Sequence, residues 1–284
     1  MVVTGDSGGR LILCGTPIGN LEDMTWRAVR TLREADVLAC EDVQRTRKLL
    51  AHFAIPSPRL LVLNEGNERR RTDELLARVN DGQDVVVVSG AGMPGFSDPG
   101  YRVVKACAEA GLRIEVVPGP TAAVSALVVS GLASDRFVFE GFLPRAAGPR
   151  RRRIAELADE SRTLVIYESP HRLKATLDDL AETWGDRPAA LVRELTKVHE
   201  EVLRASLSSL RDEIDARPAR GELVLVIAGA RNLSREVPAV ELARRATELM
   251  GAGVARGEAL RQVAKEAGVA RRKVFDALLQ GRAE

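Results

Sequence analysis

VVVVSGAGMPGFSDPGY, Val85 to Tyr101, is the stretch whose reading decides the fold. Four valines in a row read as a strand buried on both faces, the kind that parallel sheets contain. The loop after them holds Gly90-Ala91-Gly92-Met93-Pro94-Gly95, a G-x-G-x-x-G spacing, and an acid, Glu115, stands 20 residues beyond Gly95. Strand, glycine loop and distant acid together spell a dinucleotide-binding fingerprint. Three features break it. In that motif the helix opens inside the glycine run, so that its N-terminus meets a pyrophosphate. Pro94 stiffens the run in this chain, and the best helix start comes later, with Ser97 or Asp98 as N-cap and Pro99 at the first helical position. Glu115 also lies mid-strand, with Val116 and Val117 still to come, whereas the fingerprint acid ends its strand. The motif, finally, follows the fourth strand and not the first. The glycines then read as bare backbone that can approach a ligand closely and display N–H and C=O groups. A plain wide turn is the alternative.

Working outward, strands and helices alternate. Strands are expected at Arg10–Gly15, Val37–Cys40, Leu60–Leu63, Val85–Ser89 and Ile114–Val117, with helices near Trp26–Ala35, Thr46–Phe53 and Thr72–Asn80 between them. Short connections between β and α elements predict an α/β domain with a largely parallel sheet. A second series follows Pro118-Gly119-Pro120: strands at Phe137–Phe139, Thr163–Tyr167, Ala189–Val192 and Leu223–Ile227, a basic helix, and a helix near Leu173–Thr183. The fold class expected is two tandem α/β domains, residues 10–119 and 120–232, with a helical tail at 236–284. In the tail, Ala264, Gly268 and Val274 stand where a helix-turn-helix needs a small residue, a turn and a packing contact. A plain helical hairpin packed on the body fits as well.

The composition is that of an ordinary globular chain of 284 residues: 45% hydrophobic and 29% charged, with a net charge of +2. Aromatics are only 4%, so the core rests on Val, Leu, Ile and Ala. No apolar run approaches the ~18 residues of a membrane span, and MVVTGDSGGR lacks the charged and apolar regions of a signal peptide. A cytoplasmic protein with no membrane partner is expected. Cys14, Cys40 and Cys107 form no C-x-x-C pair and read as buried free thiols. His52, His171 and His199 show no metal-ligand spacing, so no metal site is expected. The basic clusters Arg150–Arg153 and Arg271–Lys273 read either as solvated helix faces or as contacts to a polyanion.

The loops at the strand ends read TPIGNLED (16–23), ACEDVQRTR (39–47), SGAGMPGFSDPGY (89–101), VPGPTAA (117–123), FEGFLPR (139–145), YESPHR (167–172), RELTKVHEE (193–201) and RGE (220–222). In this order they closely resemble the ribosomal RNA small subunit methyltransferase I family of the tetrapyrrole-methylase superfamily, over about residues 10 to 279. The resemblance implies two α/β domains with S-adenosylmethionine in the cleft between them, a homodimer, and 2′-O-methylation of a cytidine ribose in 16S rRNA of the small ribosomal subunit. It places the cofactor at Thr16, Pro17, Ala91, Gly92, Met93, Pro94, Ser97, Gly119, Thr121, Ala122, Glu140, Phe142, Tyr167, Glu194, Leu195, Gly221, Glu222 and Leu223. The chain departs from the family pattern at Gly90, where an acid is usual, at Met93, where a threonine is usual, and at Val43-Gln44, where Thr-Arg is usual. Loss of an orienting acid implies reduced or redirected activity, while backbone-mediated cofactor binding survives it better.

Methyl transfer from a sulfonium needs nucleophile, carbon and sulfur in line, and a 2′-hydroxyl benefits from a base. Strand-end carboxylates Glu41, Asp42, Glu65, Glu168 and Glu194 are candidates, as is Lys197, acting neutral as a base or charged as an alkoxide stabiliser. Glu168 and Lys197 are preferred because the resemblance places their segments at the cleft. Glu200 and Glu201 read as solvated helix charges. Arg145, Arg150, Arg151, Arg172, Arg271, Arg272 and Lys273 are the candidate RNA phosphate contacts. Three other functions stay open: C-methylation of a tetrapyrrole precursor on the same fold, an RNA-binding homologue impaired in catalysis, and a DNA-binding regulator led by the helical tail.

Overall fold

The computed structural model describes residues 8–230, 239–267 and 269–280. Its first half runs β1 (Arg10–Cys14), α1 (Trp26–Glu34), β2 (Val37–Cys40), α2 (Val43–His52), β3 (Arg59–Val62), α3 (Glu68–Asn80), β4 (Val85–Val88), α4 (Tyr101–Glu109) and β5 (Arg113–Val117). The five strands form one parallel sheet in the order β3-β2-β4-β1-β5. VLAC and VVVV are buried at every position because helices cover both faces. Leu11, Leu13, Val85 and Val87 pack with Leu75 of α3 and Val103 of α4. Ile12, Cys14, Val86 and Val88 pack on the opposite face with Leu32 of α1 and Leu50 of α2. All three cysteines are free and buried, and burial pushes the Cys14 thiol up to about 12.

α4 starts later than the sequence predicts. Its N-cap is Gly100 at φ +137°, and no local side chain caps it. The capping acceptor comes from α3: Glu68 Oε1 accepts from Gly100 N at 2.9 Å and from Arg102 N at 3.1 Å. A cap supplied from another helix frees Ser97 and Asp98 from that duty.

The second half runs α5 (Ala122–Ser130), β6 (Phe137–Phe142), α6 (Ala147–Glu156), β7 (Thr163–Glu168), α7 (Pro170–Trp184), β8 (Pro188–Arg193), β9 (Glu201–Ser206), α8 (Leu207–Ala216) and β10 (Leu223–Ile227). Its sheet has the order β6-β7-β10-β8-β9, and only β6 and β7 run parallel. β9 and α8 are elements the sequence did not announce. β9 is an edge strand only partly buried, and its Glu201 and Arg204 mask the apolar alternation. Glu201, expected on a helix, opens this strand and pairs with Arg193 at 2.7 Å and Arg217 at 3.2 Å. β6 also continues through Phe142, where a loop was expected, by way of a register shift between Phe139 and Gly141.

α9 (Ala239–Gly251), α10 (Arg256–Glu266) and α11 (Arg271–Gln280) complete the described chain. They share a core of their own, with Leu242, Ala246, Leu260, Val263, Val274 and Leu278 at its centre. Ala264 and Val274 both belong to it, while Gly268 and the expected boundary at 232–236 lie outside the described residues. No described helix is long and apolar enough to cross a membrane.

Candidate active site

β1 and β4 are neighbours in the first sheet, and the segments leaving their C-terminal ends are hydrogen-bonded together. Thr16 N donates to Gly92 O at 2.8 Å, and Gly92 N donates back to Thr16 O at 3.1 Å. Gly92 sits at φ +78°, a left-handed conformation that favours glycine. Below this bridge, Gly15 and Gly119 meet backbone to backbone. A Cβ on Gly15 would lie 2.7 Å from Gly119 N and Cα, so the exit of β1 and the VPGP loop approach this closely only without side chains. Ligands in open α/β sheets bind outside the carboxyl ends of the strands. At these strand ends the chain presents main chain.

Over this floor the second half contributes the opposite wall of a cavity of about 320 Å³, within the usual range of small-molecule sites. Its walls are mostly apolar. Phe142 and Tyr167 line it beside Phe96, which stacks on Phe139 at 4.3 Å. Phe139 and Phe142 meet Tyr167 edge-on at 5.0 and 5.6 Å. Tyr167 Oη accepts from Ala123 N at 3.2 Å. Burial raises the phenol's pKa, the bond from Ala123 opposes this, and the nearby charge of Asp98 adds to it, so the ring stays neutral. Thr121, the N-cap of α5, makes no side-chain capping bond, and Thr121 and Ala122 both face the cavity. A helix start without its own cap suits a carboxylate.

These features fit S-adenosylmethionine: aromatic walls for a flat base, exposed peptide groups for its polar edges and a bare helix start for its carboxylate. Twelve of the expected cofactor residues line the cavity, namely Ala91, Gly92, Met93, Ser97, Thr121, Ala122, Phe142, Tyr167, Leu195, Gly221, Glu222 and Leu223. Thr16 and Pro17 face a second cavity instead. Four line neither. Pro94 is buried, and Gly119 is packed on Gly15. Glu140 is clasped by Arg153, whose Nε and Nη2 donate at 2.5 and 2.8 Å. The Glu194 carboxylate lies against Gly221, where a Cβ would collide with it, and accepts from Glu222 N at 2.9 Å.

The second cavity, also about 320 Å³, adjoins the first across a wall of Ile18, Ala91 and Glu222, which border both. Arg45, Lys48, Ser89, Gly90 and Lys197 line it. A tie between the two halves stands near its mouth, where Asn20 N donates to Thr196 Oγ1 at 3.1 Å. Gly19 lies so close to this segment that a Cβ there would be 2.6 Å from Lys197 Cγ. Glu194 and Thr196 are bent into positive φ, +51° and +67°, strain of a kind that surrounding contacts must hold in place.

The structure places the two expected catalytic residues in different settings. Glu168 is turned into the start of α7, and its side chain is 0% exposed. Its oxygens accept from Ser169 N at 2.7 Å and Thr176 Oγ1 at 2.6 Å, and Arg172 Nε stands 3.3 Å away. Glu168 borders the first cavity, but its carboxylate oxygens are engaged in fixing the start of α7. Lys197 is not a neutral base. Burial disfavours its charge, but hydrogen bonds to Glu194 (2.8 Å) and Glu222 (3.0 Å) outweigh this and raise its pKa. It remains an ammonium beside the second cavity.

Asp98 is the residue that sequence reasoning missed, because SDPG reads as a helix start. It lines the first cavity, half-buried in the glycine loop. Burial and the neighbouring charges of Glu41 and Glu65 push its carboxyl up to about 6, against a hydrogen bond from Ser89 that lowers it. A carboxylate poised there at a cavity wall has the properties of a general base. The signal was invisible in one dimension, since Glu41 and Glu65 come from the ends of other strands.

The expected phosphate contacts divide. Arg150 is 6% exposed, and its Nε donates to the buried Asp179 at 2.7 Å, so it is unavailable to RNA. Arg172 is likewise structural, its Nη2 donating to Leu143 O at 2.7 Å. Arg151 also binds Asp179, at 2.8 Å, but stays largely exposed. Arg145, Arg271, Arg272 and Lys273 are exposed.

Comparison with known proteins places this geometry. The sequence profile of the Tetrapyrrole (Corrin/Porphyrin) Methylases matches residues 10–211. A Synechocystis protein named ribosomal RNA small subunit methyltransferase I is 45% identical, covering 96% of this chain and 98% of its own length. A Mycobacterium tuberculosis protein of the same name is also 45% identical, over 98% of this chain and 97% of its own. Among solved structures, a cobalt precorrin-4 methyltransferase shares the fold with a TM-score of 0.59 at 20% identity, covering 80% of this chain and 98% of its own. With its two sheets, its glycine-floored cleft and relatives matched along nearly their whole length, this chain belongs to the tetrapyrrole methylase family, in the branch of the ribosomal RNA small subunit methyltransferases I.

Proposed function

We propose that the chain transfers a methyl group from S-adenosylmethionine to the 2′-oxygen of a cytidine ribose in 16S rRNA of the small ribosomal subunit. The observation that carries this reading is the wall of Ile18, Ala91 and Glu222 between an apolar cavity and one bordered by cations. One side suits the methyl donor and the other a polyanion. The names of relatives at 45% identity support ribosomal RNA of the small subunit as the substrate class.

Bound S-adenosylmethionine supplies a methyl already activated by its sulfonium. The chain's own part is alignment, proton acceptance and charge control. The Thr16–Gly92 bridge and the Gly15–Gly119 contact fix the floor. Asp98, tied by a hydrogen bond to Ser89 of the second cavity, takes the proton of the attacking hydroxyl on its carboxylate, which is ionised above pH 6. Lys197 stays charged, with two of its three N–H bonds spent on Glu194 and Glu222 and the third left for an oxygen in the second cavity. The reading extends to a cytoplasmic homodimer with domains at 10–119, 120–232 and 236–284.

The test is methylation of small ribosomal subunits that lack the modification, followed by digestion to nucleosides. The expected product is 2′-O-methylcytidine. Methylation of a tetrapyrrole precursor instead would overturn the reading. Calorimetric binding of S-adenosylmethionine without any transfer would leave an RNA-binding homologue that has lost catalysis.

A further inference from the structure

Arg45 and Lys48 stand one turn apart on α2 and both border the second cavity. Residues three apart share a helix face, so the two cations look the same way. Among the described residues neither has a carboxylate within ion-pair distance. Asp42, on the same helix, is occupied as its N-cap and accepts from Gln44 N at 2.8 Å and Arg45 N at 3.0 Å. Across from them lies Gly90, where a Cβ would lie 3.8 Å from Arg45 Nη1 and 3.4 Å from Glu41 Oε2, and the acid that lines this cavity, Glu222, is bound to Lys197 at 3.0 Å. Among the described residues the other cation lining this cavity is Lys197, which is paired with Glu194 and Glu222. Two exposed cations in no close ion pair, influenced only at longer range by the charge of Asp42 and one of them a guanidinium fork, suit a phosphate.

We infer that the second cavity seats the target nucleotide and that Arg45 and Lys48 bind its phosphate. The site rests on the reading of the chain as an RNA methyltransferase. It places the ribose against the wall of Ile18 and Ala91, with the donor cavity behind. Gly90 has a role in this arrangement, because an aspartate in its place would reach the Arg45 guanidinium and claim it.

The experiment compares wild type, Arg45→Ala, Lys48→Ala, the double variant, Arg45→Lys and Gly90→Asp. Each is assayed on unmodified small subunits across a salt series, with S-adenosylmethionine affinity measured by calorimetry and folding by thermal melting. Each lost phosphate contact should lower the slope of log KM against log salt by about one, and the double variant should raise KM about tenfold at physiological salt. kcat and cofactor affinity should hold. Arg45→Lys should keep the slope, and Gly90→Asp should behave like Arg45→Ala. A folded double variant with wild-type KM and salt slope would overturn the phosphate site and leave the proposed function standing. A wild-type protein that methylates no subunit would overturn both.

Discussion

Glu68 of α3 holds the first turn of α4 through Gly100, accepting its N–H at 2.9 Å only two residues past Asp98. The same oxygen takes the Arg102 N–H at 3.1 Å, so one carboxylate anchors the end of the glycine loop. Glu68→Ala should cost about 1 kcal/mol of stability, the usual value of a lost helix cap. It should lower kcat more than cofactor affinity, because Asp98 loses its fixed position. Urea unfolding and steady-state kinetics on one preparation check both effects.

Asp98 sets a pH dependence. A base works only when deprotonated, and this carboxyl is held up to about 6 by burial and by Glu41 and Glu65. kcat/KM should therefore fall about tenfold per pH unit below 6 and level off above it. Asp98→Asn should lose most turnover and the acidic limb with it. Because the folded protein raises this pKa, the ionised form is the unfavoured one, and Asp98→Asn should melt at a higher temperature than wild type at pH 8. A less stable but fully active variant would show that Asp98 is structural.

Asp179 gathers Arg150 at 2.7 Å and Arg151 at 2.8 Å beneath α6. Asp179→Ala leaves Arg150 buried without a partner, which should cost about 3–5 kcal/mol. Burial opposes the Asp179 charge, but the bonds from the two arginines outweigh it and hold its carboxyl below the ordinary range. A depressed folded pKa means that this stabilisation is full above about pH 4 and lost as pH falls through the folded value. The gap between wild type and variant in guanidinium midpoint should accordingly shrink on going from pH 7 toward pH 2.

Gly119→Ala tests the floor of the cleft. The added Cβ would lie 2.9 Å from Gly15 Cα, with main chain on both sides and no side chain able to yield. A loss of about 1–3 kcal/mol is expected for such overpacking. Calorimetry should show weaker S-adenosylmethionine binding, since the VPGP loop leads directly into Thr121 and Ala122.

The first sheet was legible because its strands are short apolar runs closed by turn residues, and VVVV admits few other readings. The second was read less well. EVLRAS hides an edge strand behind Glu201 and Arg204, and nothing local in Val192 or Leu223 declares that their strands run antiparallel. At the cleft, the glycine loop was recognisable by what a backbone wall requires. The acid chemistry was not. Glu168 looked catalytic because its segment borders the cleft, but side-chain direction is a tertiary fact, and Thr176 and Ser169 enclose it. Asp98 looked like a cap because its true environment is assembled from the ends of three strands.

The Thr16–Gly92 bridge and the Gly15–Gly119 contact build one side of the cleft from peptide groups, which every residue carries. Such a surface keeps its chemistry when the side chains around it change. Side chains on the acceptor side, such as those of Arg45 and Lys48, can then change without disturbing that wall. Departures such as Gly90 and Met93 then alter side chains around a wall whose hydrogen-bonding groups belong to the main chain.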